Sequence, residues 1–167
     1  MADPYRILVV MSTTRWSRRL GEVALREVNA ATAAGRPAEL DVLYVVEQAE
    51  IDRAGRAVGD SGFLGPDTQE GLVKTLLEEH RRVAARRQAR VRKAVETLTC
   101  RTSWHEVTGD YEEEVRRAVA DEHYDVVVLV QSRLSFLERL FYGSEDDRVA
   151  KWVRDATGSR VLVEEGV

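Results

Sequence analysis

Two apolar patterns alternate along the chain. Short, uniformly apolar runs, rich in β-branched residues, fall at Tyr5 to Met11 (YRILVVM), Leu40 to Val46 (LDVLYVV) and Val126 to Val130 (VVVLV), with a shorter one at Arg160 to Glu164 (RVLVE). Runs of this kind read as strands buried on both faces, as in a parallel sheet. Between them the apolar positions recur at helical spacing. Leu20, Val23, Ala24, Glu27 and Val28 share one face of a helix that runs to about Ala34, where Gly35-Arg36-Pro37 stops it. Val73, Leu76, Leu77, His80, Ala84, Val91, Ala94, Val95 and Leu98 mark the seam of a longer helix.

Polar residues punctuate these elements. Ser12-Thr13-Thr14 supplies hydroxyls where the first helix is expected to begin, and Asp67 with Glu70 and Asp110 with Glu113 have the spacing of capping boxes. Arg101 to Thr108 (RTSWHEVT) carries charge and hydroxyls, which suits a strand at the edge of a sheet. Glu47 to Asp67, with Gly55, Gly59, Gly62, Gly65 and Pro66, reads as a long loop, mobile or lid-like over the sheet's carboxyl edge. The order is βαβ, loop, αβαβαβ. That order predicts a single domain over residues 1–167, a three-layer α/β Rossmann-like open sheet with five parallel strands in the order 3-2-1-4-5. The third and fifth strands are then its edges.

Composition narrows the class. At 167 residues, 44% hydrophobic and 32% charged, the chain is expected to form one soluble core. No apolar run approaches a membrane span and the start, MADPYRILVV, lacks the features of a signal peptide, so a cytoplasmic location is expected. The single Cys100 leaves no internal disulfide. A net charge of −4 provides no general drive towards nucleic acid or anionic membrane, and neither is an expected partner. Arg81, Arg82, Arg86, Arg87, Arg90, Arg92 and Lys93 have no aromatic residues interleaved and read as a solvated helix face beside Glu78, Glu79 and Glu96.

His80, His105 and His123 share no metal-ligand spacing, so no metal site is expected. No serine, cysteine or lysine stands in a nucleophile motif, so no catalytic residue is expected and the chain reads as a non-enzyme. In open α/β sheets ligands bind beyond the carboxyl ends of the strands. That rule directs attention to Ser12, Thr13, Val46, Gly109, Gln131, Ser132 and Arg133, and to Gly143-Ser144 at the start of the last helix. Ser144 can cap that helix or contact a phosphate, with Glu145, Asp146 and Asp147 just beyond it. Ser12, Thr13 and Thr14 with Arg15, Arg18 and Arg19 can form an anion pocket, or a cap beside a solvated basic face. Trp16 can cover the crevice or pack on the long loop.

Three segments together resemble the universal stress protein family: YRILVVMSTT, VTGDYEEEVRRAVADEHYDVVVLVQSR and GSEDDRVAKWVRDATGSRVLVEE. The resemblance covers nearly the whole chain. It implies the fold derived above and a homodimer paired through the fifth strand, with Val161, Leu162 and Val163 at the interface. One branch of that family binds ATP through a glycine-rich pattern. Its two first glycines fall on Gln131 and Leu134 here, and only the closing pair survives, as Gly143-Ser144, one residue early. The aspartate and glycine that family members carry after the first strand fall on Ser12 and Thr13. The expectation is a dimeric stress-related binding or interaction module, with an unidentified protein partner, no required cofactor and no robust ATP binding. The alternative is an ATP- or AMP-binding switch with a variant phosphate loop.

Overall fold

The computed structural model describes residues 2–60, 62, 65–132 and 145–167. The strands are β1 (Tyr5–Ser12), β2 (Ala38–Glu47), β3 (Arg101–Gly109), β4 (Val126–Val130) and β5 (Arg160–Glu164). All neighbours run parallel, in the order β3-β2-β1-β4-β5. The helices are α1 (Leu20–Ala33), α2 (Gln48–Gly59), α3 (Pro66–Val95), α4 (Tyr111–Asp121) and α5 (Glu145–Thr157). The alternation of side chains along a strand sends successive residues to opposite faces. One face, with Ile7, Val9, Leu40, Val42, Val126 and Val128, packs on α1, α2 and α3. The other, with Leu8, Val10, Leu43, Val45, Val127 and Leu129, packs on α4 and α5. The central strands β1 and β4 are buried on both faces from Ile7 and Val126 onward, which is why they read as continuous apolar runs. Among the described residues the polar β3 pairs only with β2, and β5 only with β4, so both edges fall where the sequence puts them.

Three local expectations are corrected. Ser12-Thr13-Thr14 does not cap α1: that helix begins at Leu20 after Arg19, with no side-chain cap, because Ser12 and Thr14 bond to Glu47 instead. The segment expected as a loop at 47–67 is largely helical, forming α2 over Gln48–Gly59 with Ile51 buried. Gly55 and Gly59 permit a close helix contact rather than a turn, while Gly62, at φ +70°, does turn the chain. A Cβ on Gly55 would lie 3.3 Å from Val73 Cγ2, and one on Gly59 3.3 Å from Gln69 Nε2, both on α3. Asp67 is not the cap of α3 either. Gly65 holds that position with no side-chain bond, and Pro66 starts the helix, where its fixed φ and missing N–H cost nothing. Asp110 does cap α4, its Oδ1 accepting the Glu113 N–H at 2.9 Å.

Candidate functional site

The carboxyl ends of β1, β2 and β3, the residues after β4, and the start of α5 surround a cleft of about 550 Å³. A buried arginine forms part of its lining. Arg15, in the turn after β1, is 2% exposed. Its guanidinium donates through Nε to Asp146 Oδ1 at 2.6 Å, through Nη1 to Glu47 Oε1 at 3.0 Å, and through Nη2 to Glu145 Oε2 at 2.8 Å. The same guanidinium lies 3.7 Å from the centre of the Tyr111 ring, in cation–π contact.

The loop is built to present it. Ser12 N–H donates to the Arg15 carbonyl at 2.9 Å, and Arg15 N–H donates to Ser12 Oγ at 3.1 Å, which closes a tight turn directly off the strand. Glu47 Oε1 accepts from the Ser12 hydroxyl, from Thr14 N–H at 3.2 Å and from Thr14 Oγ1 at 2.7 Å, besides Arg15. On the far side Asp146 Oδ2 accepts from Ser132 N–H at 2.8 Å and Ser132 Oγ at 3.1 Å. From α3, Arg87 Nη1 donates to the carbonyls of Ser12 and Thr13 and to Tyr44 Oη, each at 2.9 Å. Three strand ends are thus tied together by two arginines and three carboxylates.

The electrostatics follow from burial. Desolvation works against the charge on Arg15, but Glu47, Tyr111 and Asp146 more than offset it and raise its pKa, so it stays a cation. Burial pushes the Tyr111 hydroxyl up, opposed by Arg15. The arrangement resembles a receptor for a guanidinium group, filled intramolecularly. Among the described residues no cluster of metal-ligating side chains occurs.

The residues anticipated from the sequence divide into three groups. Thr13, Gly109 and Ser132 line the cleft, and Ser12 is buried beneath it as the hinge of the Arg15 turn. Val46 does not belong to the site: it is fully buried in the core facing α1, α2 and α3, because strand alternation turns it away from Glu47. Gln131 stands beside the cleft, donating its N–H to the Glu164 carbonyl at 2.9 Å. Arg133, Gly143 and Ser144, with Leu134, lie outside the described residues. Of the candidate anion-binding arginines, Arg15 is turned inward to carboxylates, while Arg18 and Arg19 are exposed. Trp16 lines the cleft, packs against the core and sits 5.6 Å beneath the Arg87 guanidinium. Glu47, Asp146 and Tyr111 were not singled out as partners of Arg15. The available signal was charge: an arginine just after β1 faces the acidic Glu145-Asp146-Asp147 across neighbouring strands once the order 3-2-1-4-5 is accepted.

The chain's end joins the same region. Val167 N–H donates to the Trp16 carbonyl at 2.9 Å, and Gly166 lies so close on the Gln131 carbonyl that no Cβ would fit. The segment therefore crosses the end of β4.

An all-parallel 3-2-1-4-5 sheet with a cleft at its carboxyl edge defines a Rossmann-like α/β protein. Residues 5–153 match the universal stress protein family, and the chain belongs to it. Universal stress protein UspA from Lactobacillus plantarum has the same fold, with a TM-score of 0.62 over 98% of this chain and 99% of that one, at 17% identity. The hypothetical protein MJ0577 aligns with a TM-score of 0.60 over 98% of this chain and 96% of that one, at 21% identity. At these identities the likeness is one of fold. No curated protein sequence matches.

Proposed function

We propose that this universal stress protein is a dimeric, cytoplasmic binding and interaction module, not an enzyme, that needs no cofactor and binds ATP no more tightly than millimolar. The observation that carries the reading is the carboxylate-bound Arg15 in the lining of the cleft. A triphosphate needs inward-pointing amides or a cation. Here the buried cation is already held by Glu47, Glu145 and Asp146, so an incoming phosphate meets carboxylates. Residues 166–167 cross the end of β4 beside Gln131, where an ATP-binding relative would carry its first glycine. A helix N-terminus supplies an anion with only about 0.3–1 kcal/mol, against roughly 8 kcal/mol for micromolar affinity. Isothermal titration with ATP and magnesium is expected to give no dissociation constant below about 1 mM, equivalent to roughly 4 kcal/mol. A micromolar constant, or ATP released from purified protein on denaturation, would establish the nucleotide-switch alternative.

The dimer is proposed through β5. Among the described residues this strand leaves one edge unpaired, and Val163 on it is 37% exposed. Open apolar edges recruit another chain, and a two-fold axis lets identical strands pair. Val161 and Leu162 also pack on the two faces of the core, so Val163 is the cleaner position to change. Val163→Lys is expected to shift the sedimentation coefficient from dimer to monomer. A native chain that sediments as a monomer at about 50 μM, well above the range of a low-micromolar dimer, would exclude the interface.

A further inference from the structure

Helix α3 carries a charged feature that the cleft does not use. From Arg81 to Val95 it holds six arginines, one lysine and no acid, in a chain whose net charge is −4. The fold sorts these seven cations. Arg87 turns inward to the Ser12 and Thr13 carbonyls, Arg92 stacks on Trp104 at 4.7 Å, and Arg81 lies 3.7 Å from Glu106. The other four, Arg82, Arg86, Arg90 and Lys93, are exposed, and follow one another at helical spacing on the side of α3 away from the buried Ala84, Val91 and Val95. At about 1.5 Å per residue they form a line roughly 16 Å long. Glu79 approaches both Arg82 and Arg86 at 3.6 Å, but those side chains are 73% and 70% exposed, so the pairs hold them loosely. Arg90 and Lys93 have no side-chain partner among the described residues.

We propose that this line is a docking strip for the phosphate backbone of duplex nucleic acid, bound without regard to sequence. A protein partner would need an apolar or aromatic anchor to bury. Around the four cations the exposed apolar side chains are only Ala85 and Ala89, with Val83 half-buried. The guanidinium fork suits phosphate oxygens, and a duplex presents a dense, regular row of them. With no exposed aromatic residue on the line, bases of a single strand gain no stacking, so the duplex is the better ligand. Net negative charge opposes the encounter only weakly. Glu78, Glu79 and Glu96 bracket the strip, leaving its four cations in excess over these three acids, while the acidic first turns of α4 and α5 lie on the other face of the sheet, where a Debye length of about 8 Å at physiological salt screens them.

The test is fluorescence anisotropy of a labelled, random-sequence duplex titrated with the full chain across a range of salt concentrations. Four phosphate contacts predict a slope of log K against log salt of about −3.6. Arg86→Ala and Lys93→Ala should each reduce that slope by about 1. An unlabelled single strand of equal length should compete no better than the duplex. Absence of binding at low salt, a slope near zero, or unchanged slopes in both variants would overturn the proposal. So would binding to phosphatidylserine vesicles without binding to the duplex, which would make the strip a membrane contact. The slope of the unmodified chain decides even where a variant folds poorly.

Discussion

Arg15→Met is expected to lower stability by about 3–5 kcal/mol, the cost of removing one partner from a buried ion pair. Methionine keeps the aliphatic stem, ending near the position of Nε, and gives up the guanidinium's contact with Tyr111; the larger loss is electrostatic. What is lost is the charge that compensates Asp146, 6% exposed, and Glu47. The arm to Glu145 adds little, because that side chain is 35% exposed and water can replace its partner. For a chain of this length each kcal/mol moves Tm by about 2–4 °C, so the midpoint should fall by roughly 10 °C or more. The diagnostic measurement is the triple variant Arg15→Met, Glu47→Gln, Asp146→Asn. Removing the carboxylate charges together with the cation should recover much of the loss, since replacing a whole buried ionic group is often nearly neutral. A single variant as stable as the parent in denaturant melts would show that the cage is not a stabilising element.

Gly21→Ala is the second large effect, and its sign runs against helix propensity. In a helix interior alanine is worth about 0.5–1 kcal/mol over glycine. Here a Cβ on Gly21 would stand 2.5 Å from Ala94 Cβ, across the contact of α1 with α3. Neither atom belongs to a flexible side chain, so the helices must part. Overpacking of this kind costs about 1–3 kcal/mol, which outweighs the propensity gain. Gly21→Val should cost more, and Gly21→Ala combined with Ala94→Gly should restore most of the stability. Such a double-mutant cycle is expected to give a coupling of about 1 kcal/mol or more. Simple additivity in urea unfolding would refute the close contact.

The sheet was legible because its signal is redundant. Apolar runs and helical periodicity specify the βα alternation, and right-handed crossovers with the polar composition of β3 then favour the order 3-2-1-4-5. Residues 47–67 misled because glycine has two uses, turn-making and close packing, and the sequence around Gly55 and Gly59 does not distinguish them. Only the neighbouring Val73 and Gln69 do, from a separate helix. The hydroxyls of Ser12-Thr13-Thr14 misled in a similar way, because a cap is a local inference and Glu47, more than thirty residues on, outcompeted it. Residues of the site were recognised by position at strand ends. Their chemistry depends on pairings between Arg15 and residues up to 131 positions away, which no local pattern encodes.

The central place of β1 has a kinetic consequence. The strand is synthesised before the other four, yet one of its edges pairs with Val126, Val127 and Val128. Until those residues leave the ribosome, an apolar strand with an open edge has nothing to cover it, which exposes the nascent chain to association with others. Contacts this distant in sequence also slow the search for the native state. The Arg15 cage closes later still, since Asp146 follows β4. Refolding of a Trp104→Phe, Trp152→Phe variant followed by two probes, far-UV circular dichroism for the helices and the fluorescence of the remaining Trp16 for the cleft, would resolve the interval between backbone formation and completion of the site.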